Sequence, residues 1–164
     1  MKEEQNKNKF YKISEKQFKA DEMNLKCNYE DIVLPKRATM KSAGYDFIAP
    51  FDMVIMPGMS LKFPTGIKMS LNDNQFLAIV PRSSLGFKYK LKLDNTIGII
   101  DSDYYNNPKN EGHIWCSMTN MSSDKPVKIA KGEAYAQGII LNFGLTVDDE
   151  VTQTRNGGLG STNK

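Results

Sequence analysis

Residues that break regular secondary structure recur at short intervals along most of this chain. After Pro35 they separate one short segment from the next, at Pro57-Gly58, Pro64-Thr65-Gly66, Asn72-Asp73-Asn74, Pro108 and Lys131-Gly132. Proline removes a backbone donor, and glycine and asparagine favour tight turns. Short segments between such breakers are typical of an all-β sandwich or barrel.

Two of these segments show the alternation of a strand with one buried face. Successive side chains of a strand point to opposite faces of the sheet, so that apolar residues at every second position share one face. The apolar positions are Ile67, Met69 and Leu71 in the first segment and Ile114, Cys116 and Met118 in the second. We therefore predict strands over both segments.

The N-terminal region has a different character. Residues 1–12 are rich in Lys, Glu and Asn and are predicted to form a mobile tail. Ser14-Glu15-Lys16-Gln17 then matches a capping box, in which the serine side chain accepts from the third helical amide. This match predicts a short helix from Ser14 through about Met23.

Composition narrows the class of protein. The 164 residues suit one globular domain, and 22 basic against 19 acidic residues are interspersed rather than segregated, so nothing requires nucleic acid as a partner. The longest apolar runs, such as residues 97–100 and 138–141, are far too short to span a membrane.

Cysteine and histidine usage argues against a metal or disulfide framework. Cys27 and Cys116 are far apart, and His113 is the single histidine. Because the first segment, Met1 to Phe10, is also polar and lacks the apolar stretch of a signal peptide, we expect a cytoplasmic location. A single histidine gives little support to a hydrolase triad.

Five polar or glycine-rich segments interrupt the strand pattern. In chain order they are Ala43-Gly44-Tyr45-Asp46, Pro81-Arg82-Ser83-Ser84, the segment Asn95 to Tyr104, Ala136-Gln137, and Arg155 followed by Gly157 to Thr162. In this order they closely resemble the five motifs of the trimeric dUTP pyrophosphatase (dUTPase) family, from about Leu34 to Lys164. The third segment matches the signature Asn-x-x-Gly-x-Ile-Asp-x-Asp-Tyr at every position and is the most specific part of the resemblance.

The resemblance implies an architecture and an activity. The fold would be all-β, a jelly-roll-type β-barrel with a short N-terminal helical extension and a flexible C-terminal arm. The extension would cover residues 1–30, the barrel residues 31–154 and the arm residues 155–164. The protein would be a homotrimer with three composite active sites that hydrolyse dUTP to dUMP and pyrophosphate with Mg²⁺.

Roles at the reacting centre and the nucleoside follow from the same resemblance. Asp101 would orient and deprotonate the water that attacks the α-phosphorus, which suits a carboxylate because it only accepts hydrogen bonds when ionised. The hairpin backbone that includes Asn95, Gly98 and Ile100 would read the pairing edge of uracil. Tyr104 would pack against the deoxyribose and leave no room for a 2′-hydroxyl.

The remaining matched residues would bind the triphosphate. Arg82, Ser83, Ser84 and Gln137 correspond to family positions around the phosphates, where donors stabilise charge on the phosphoryl oxygens. Mg²⁺ would be held mainly by the triphosphate, with Asp46 reaching it through water. Arg155 would clamp the γ-phosphate, and the arm would close over the nucleotide as a lid, through Gly158, Leu159, Gly160, Ser161 and Thr162.

The chain departs from the family pattern at several points. Leu159 stands where the family usually has Phe over the uracil, and Arg155 lies one residue closer to the glycine pair than usual. Residues 105–112 are inserted directly after Tyr104, and we expect the extra residues 1–30 to be a packing or inter-subunit element. Two alternatives stay open: a dCTP deaminase relative of the same fold, and a nucleotide-gated trimer that binds a regulatory protein partner.

Overall fold

The computed structural model of the protein describes residues 6–153, which fold into a mostly β structure with two short α-helices. The strands are β1 (Lys9–Lys12), β2 (Lys36–Arg37), β3 (Tyr45–Ile48), β4 (Met53–Ile55), β5 (Ser60–Pro64), β6 (Ile67–Ser70), β7 (Gln75–Pro81), β8 (Leu91–Leu93), β9 (Gly98–Asp101), β10 (Trp115–Asn120), β11 (Val127–Ile129) and β12 (Ala134–Asn142). The α-helices are α1 (Glu15–Ala20) and α2 (Ser83–Tyr89), and 3₁₀ turns cover Met23–Leu25, Tyr29–Asp31 and Ser102–Tyr104. Neither α-helix within residues 6–153 is long and apolar enough to cross a membrane.

All the strand pairs are antiparallel. The largest sheet has the order β2-β3-β12-β7-β9, and a second has the order β5-β10-β8. Two smaller sheets pair β1 with β6 and β11 with β4. The predicted all-β class is confirmed, and the shortness of the strands follows from the closely spaced breakers.

The core lies between the sheets and is filled by alternate residues of the strands. The two predicted strands are confirmed as β6 and β10, with Ile67 and Met69 buried from one and Cys116 and Met118 buried from the other. Tyr135 of β12 is fully buried, and the ring of Phe63 meets it edge-on with 5.1 Å between centroids. Buried aromatic pairs of this kind add to the hydrophobic stabilisation of the core.

The first strand corrects one prediction. Residues Lys9–Lys12 pair with β6, with Phe10 opposite Met69, so the prediction of a mobile tail is wrong for these residues. Phe10 is only 8% exposed, and Ile13 is fully buried. Because the segment is mostly polar, its composition did not indicate that these two apolar residues would be buried. The open edge of β6 supplies the backbone hydrogen-bond partners that a strand requires.

Helix α1 begins where the capping signal predicts. The Gln17 amide donates to Ser14 Oγ at 3.1 Å, and Phe18 is buried under the helix. The reciprocal half of the box is not formed, because the Gln17 side chain donates to Asp21 Oδ2 at 2.8 Å. The helix ends at Ala20, earlier than predicted, and Phe18 and Met23 of the extension are buried in the core.

Candidate active site

A cavity of about 570 Å³ opens beside β9, β10 and the segment that connects β8 to β9. Ligand pockets in proteins typically have volumes of this order. Five residues that the sequence predicts as catalytic or nucleotide-binding line it: Asn95, Gly98, Ile100, Asp101 and Tyr104. We call this space the base cavity. The structure thus brings together every predicted residue of the third motif.

The connection between β8 and β9 is a turn between two sheets rather than a paired hairpin, which corrects the predicted hairpin. β8 pairs with β10, whereas β9 pairs with β7. The turn is closed by the Thr96 amide, which donates to the Leu93 carbonyl at 3.0 Å, and Thr96 has a φ of 65°. Because the flanking strands diverge into different sheets, the turn borders an open space.

Asp94 attaches this turn to β10. Its amide donates to the Ser117 carbonyl at 3.0 Å, and its carboxylate accepts from Ser117 Oγ at 2.5 Å and from Thr119 Oγ1. Three hydrogen bonds from one residue hold the backbone that begins the third motif. A fixed backbone is what recognition of a base edge by main-chain groups requires.

Gly98 lies where the space for a side chain is tight. A Cβ at this position would lie 3.3 Å from the Cβ of Ile79 and 3.9 Å from Nδ2 of Asn95. Both neighbours also line the base cavity. A side chain at residue 98 would therefore displace a cavity wall.

Asp101 and Tyr104 enter the cavity from consecutive elements. Asp101 is the last residue of β9, directly opposite Phe76 of β7, and the 3₁₀ turn that follows brings Tyr104 to the same wall. The Tyr104 hydroxyl donates to the His113 carbonyl at 3.0 Å and accepts from Nδ2 of Asn110 at 2.8 Å. The end of the ring is thus held by hydrogen bonds to residues that follow it in the chain.

A thiol also borders the cavity, but its ionisation state argues against nucleophilic use. Burial raises the pKa of Cys116 to about 12. The thiolate is the nucleophilic form of cysteine, and it would be almost absent at neutral pH. Among the described cavity residues, the carboxylate of Asp101 is therefore the better candidate for activating water.

A second cluster contains the predicted phosphate-binding residues. Gln137 of β12 is directly opposite Asp46 of β3, and Arg82 follows the last residue of β7. Arg82 Nε lies 3.7 Å from Asp46 Oδ1, and Ser83 and Ser84 are exposed at the start of α2. We call these five residues the phosphate cluster.

Gly44 makes room for this cluster and was not itself predicted as a site residue. A Cβ at residue 44 would lie 2.2 Å from Oε1 of Gln137, closer than two such atoms can approach. The glycine therefore allows the Gln137 amide to lie over the backbone of the first motif. Gly44 lies two residues before Asp46 in that motif, and this position was a sequence signal that could have identified it as a site residue.

Asp101 of the base cavity and Arg82 of the phosphate cluster lie far apart within one chain. Asp101 is opposite Phe76, near the start of β7, whereas Arg82 comes six residues later, beyond its end. At roughly 3.3 Å per strand residue the separation is about 20 Å. Among the described residues that line the cavity, none belongs to the phosphate cluster.

Several cavity residues were missed by the sequence analysis. They are Lys62, Asp94, Lys109, Asn110, Trp115 and Ser117. Lys109 and Asn110 belong to the inserted residues 105–112, whose position directly after Tyr104 was a usable signal. Lys62 Nζ lies 5.5 Å from the centre of the Trp115 ring, a cation–π contact between strands that no local pattern predicts.

The predicted residues of the fifth motif lie outside the described residues. They are Arg155, Gly158, Leu159, Gly160, Ser161 and Thr162.

Within residues 6–153, no group of three or more His, Cys, Asp or Glu side chains is arranged to hold a metal ion. Asp46 offers a partly exposed carboxylate, the ligand type that Mg²⁺ prefers, and could reach an ion through water.

Comparison with known proteins identifies the family. A family model described as dUTPase matches residues 30–163. The chain belongs to the dUTPase family. A deoxyuridine 5'-triphosphate nucleotidohydrolase from Lactococcus lactis is 43% identical over 133 residues, covering 80% of this chain and 88% of the relative. The corresponding protein from Actinobacillus succinogenes is 37% identical over 139 residues, covering 80% of this chain and 87% of that relative.

Solved structures of dUTPases share the fold. The crystal structure of the dUTPase from Streptococcus mutans has a TM-score of 0.67 and 37% identity, covering 84% of this chain and 97% of that one. A mutant dUTPase from phage phi11 of S. aureus, whose structure describes the coordination of a structural Mg(II) ion, has a TM-score of 0.63 at 17% identity. It covers 89% of this chain and 97% of its own. These similarities confirm the predicted dUTPase fold.

Proposed function

We propose that this protein hydrolyses dUTP to dUMP and pyrophosphate with Mg²⁺, which keeps uracil out of DNA and supplies dUMP for dTMP synthesis. The observation that carries this function is the base cavity, where Asp101 lies beside Asn95, Gly98 and Tyr104 in a space of about 570 Å³. Family membership and the named relatives support the same activity.

Asp101 is the proposed general base. Its carboxylate would accept a hydrogen bond from a water molecule, align it with the α-phosphorus and take its proton as the new P–O bond forms. The bond from the α-phosphorus to the bridging oxygen then breaks, and pyrophosphate leaves. The position of Asp101 at the end of β9 holds the carboxylate at the cavity wall on a rigid element.

The turn from Asn95 to Ile100 is the proposed uracil reader. Backbone groups of the turn would pair with the base edge, while the fit around Gly98 would exclude the methyl group of thymine. Tyr104 would cover the deoxyribose and reject a 2′-hydroxyl. Size exclusion is effective here because a well-packed wall cannot yield without disturbing its neighbours.

The active site is proposed to be shared between subunits of a homotrimer. Asp101 must act within a few ångströms of the α-phosphorus, yet Arg82 of the same chain is about 20 Å away along β7 by strand geometry. This separation favours a site in which the two residues come from different chains. A neighbouring copy would therefore supply Asp46, Arg82, Ser83, Ser84 and Gln137.

Magnesium would be held mainly by the triphosphate, with the partly exposed carboxylate of Asp46 binding it through water. When bound, the ion would neutralise charge on the phosphoryl oxygens. Arg82 and Gln137 would donate to the same oxygens. Arg155 and the glycine-rich arm would complete the enclosure of the nucleotide, so that a chain ending at Thr154 should fold without hydrolysing dUTP.

The test is to measure pyrophosphate and ammonia released from dUTP, dCTP, dTTP and UTP, with Mg²⁺ and with a chelator. Pyrophosphate from dUTP alone, abolished by the chelator, is the expected result. Ammonia from dCTP would instead assign the protein to the deaminase relatives of this fold. Light scattering tests the assembly, and a stable monomer with full activity would contradict the shared site.

A further inference from the structure

The inserted residues 105–112 form a compact loop rather than an open excursion. The side chain of Asn107, only 5% exposed, organises it. Asn107 Oδ1 accepts from the amides of Lys109 and Asn110, and its Nδ2 donates to the Tyr104 carbonyl at 2.9 Å and to Asn110 Oδ1 at 2.8 Å. These hydrogen bonds bring Asn110 back to Tyr104, the residue that directly precedes the loop.

Asn110 connects this loop to the cavity. Its Oδ1 accepts from Asn107 and from the Gly112 amide at 3.1 Å, and its Nδ2 donates to the Tyr104 hydroxyl at 2.8 Å. That hydroxyl donates in turn to the His113 carbonyl. One of these hydrogen bonds is thus received from the loop, and the other is donated to the first residue after it.

The loop is in turn held by the N-terminal extension. Glu111 accepts from the Ser14 amide at 3.1 Å, from Ser14 Oγ at 2.5 Å and from Lys68 Nζ at 3.0 Å. His113 Nδ1 lies 2.5 Å from Asp21 Oδ2. The two ends of α1 therefore bind the last residue before Gly112 and the first residue after it.

We propose that Asn110 is a positioning residue, which holds the Tyr104 ring in the position that admits a deoxyribose and rejects a ribose. The hydroxyl is the far end of the side chain, so two hydrogen bonds to it fix where the ring lies at the cavity wall. The specificity consequence rests on the proposed function, whereas the positioning of the ring can be measured without substrate.

The test is a double-mutant cycle between Asn110→Ala and Tyr104→Phe. We expect Asn110→Ala to raise KM for dUTP about 3- to 10-fold with kcat little changed, and to reduce the preference for dUTP over UTP by a similar factor. In the Tyr104→Phe background, which lacks the hydroxyl, the same change should have less than about a twofold effect. Equal effects in both backgrounds would overturn the proposal.

A second variant separates loss of the Tyr104 contact from a general loss of the loop structure. Asn110→Asp keeps the oxygen that accepts from Asn107 and Gly112 but removes the N–H donor. The Tyr104 hydroxyl can then donate either to the new carboxylate or to the His113 carbonyl, so it keeps only one of its two hydrogen bonds. We expect the same fall in dUTP preference, with an unchanged melting temperature. An unchanged preference would count against a positioning role.

The control is Asn142→Ala, because Asn142 is exposed, accepts a side-chain hydrogen bond from Gln75 at 2.8 Å and does not line the base cavity. It should leave KM and preference unchanged. NMR of ring-labelled tyrosine decides the structural part without catalysis: Asn110→Ala should broaden or shift the Tyr104 ring signals. If the wild type does not hydrolyse dUTP, the proposed function fails, while an unchanged Tyr104 signal would separately refute the positioning.

Discussion

The base cavity and the phosphate cluster are built in different ways. In the cavity, Tyr104 and the turn that begins at Asp94 are each held by at least two hydrogen bonds. In the phosphate cluster, Ser83 and Ser84 are exposed, and Arg82 has a 3.7 Å ion pair with Asp46. Discrimination by shape needs walls fixed before the ligand arrives, whereas a triphosphate is held by charge and tolerates adjustment.

The strongest expected effect is at Asp101. Asp101→Asn keeps the size of the side chain but removes the base, so we expect kcat to fall roughly 10²- to 10⁴-fold with the fold and nucleotide binding retained. Pyrophosphate release under saturating dUTP measures it, and the melting temperature controls for folding. Near-normal turnover would remove Asp101 from the proposed role.

Replacement of Arg82 tests the phosphate cluster. Arg82→Ala should lower kcat/KM about 10- to 100-fold, because a donor to the phosphoryl oxygens is lost, and should spare the preference for dUTP over UTP. Arg37 is a matched control, since its guanidinium donates to the carbonyls of Met40 and Ser42 and lies outside the motifs. If Arg37→Ala were equally damaging, the effect would not be specific to the cluster.

The free energy of unfolding should depend on pH through His113, whose carbonyl accepts from the Tyr104 hydroxyl. Nε2 of His113 accepts from the Gly66 amide at 2.9 Å, so the neutral ring carries its proton on Nδ1, facing Asp21. Burial lowers the pKa of His113 below its ordinary value, although Asp21 and Glu111 act in the opposite direction. A protonated ring would direct an N–H at the Gly66 amide, which fits this lowering.

The sign of the pH effect follows from the lowered pKa. Below about pH 6.5 the unfolded chain binds a proton at His113 that the folded chain resists, so the free energy of unfolding should fall as pH decreases through that value. Urea unfolding at fixed protein concentration between pH 5 and 8 measures it. His113→Gln can accept from Gly66 and donate to Asp21 without titrating, and an equally steep pH dependence in that variant would exclude His113 as the cause.

The smallest expected effect is at the N-cap of α1. Ser14→Ala removes the acceptor for the Gln17 amide and the donor to Glu111, and should destabilise the protein by about 1 kcal/mol. Burial raises the pKa of Glu111, but hydrogen bonds from Ser14 and Lys68 outweigh it and hold the pKa below its ordinary value. Chemical denaturation provides the measurement, with Ser123→Ala on an exposed turn as the control. A loss well above about 2 kcal/mol would show that Ser14 stabilises more than the helix.

Much of the local structure was predictable from the chain. The N-cap of α1 and the alternation in β6 and β10 depend on residues within a few positions of one another, and they appear where expected. The five motifs were also visible as an ordered set, although the structure describes only four of them. Pairing partners were not predictable, since many strands of similar apolar character compete for the same edges.

By itself, the sequence determined the β class, the cap of α1 and the residues that form the dUTPase motifs. Each of these depends on residues that lie close together in the chain. Tertiary structure alone decided that Phe10 joins the core, that β8 and β9 enter different sheets, and that Asp101 lies far from Arg82. It also joined His113 to Asp21 across 92 residues. The physical reason is that such contacts are selected by the packing of the whole chain, for which no local rule names the partner.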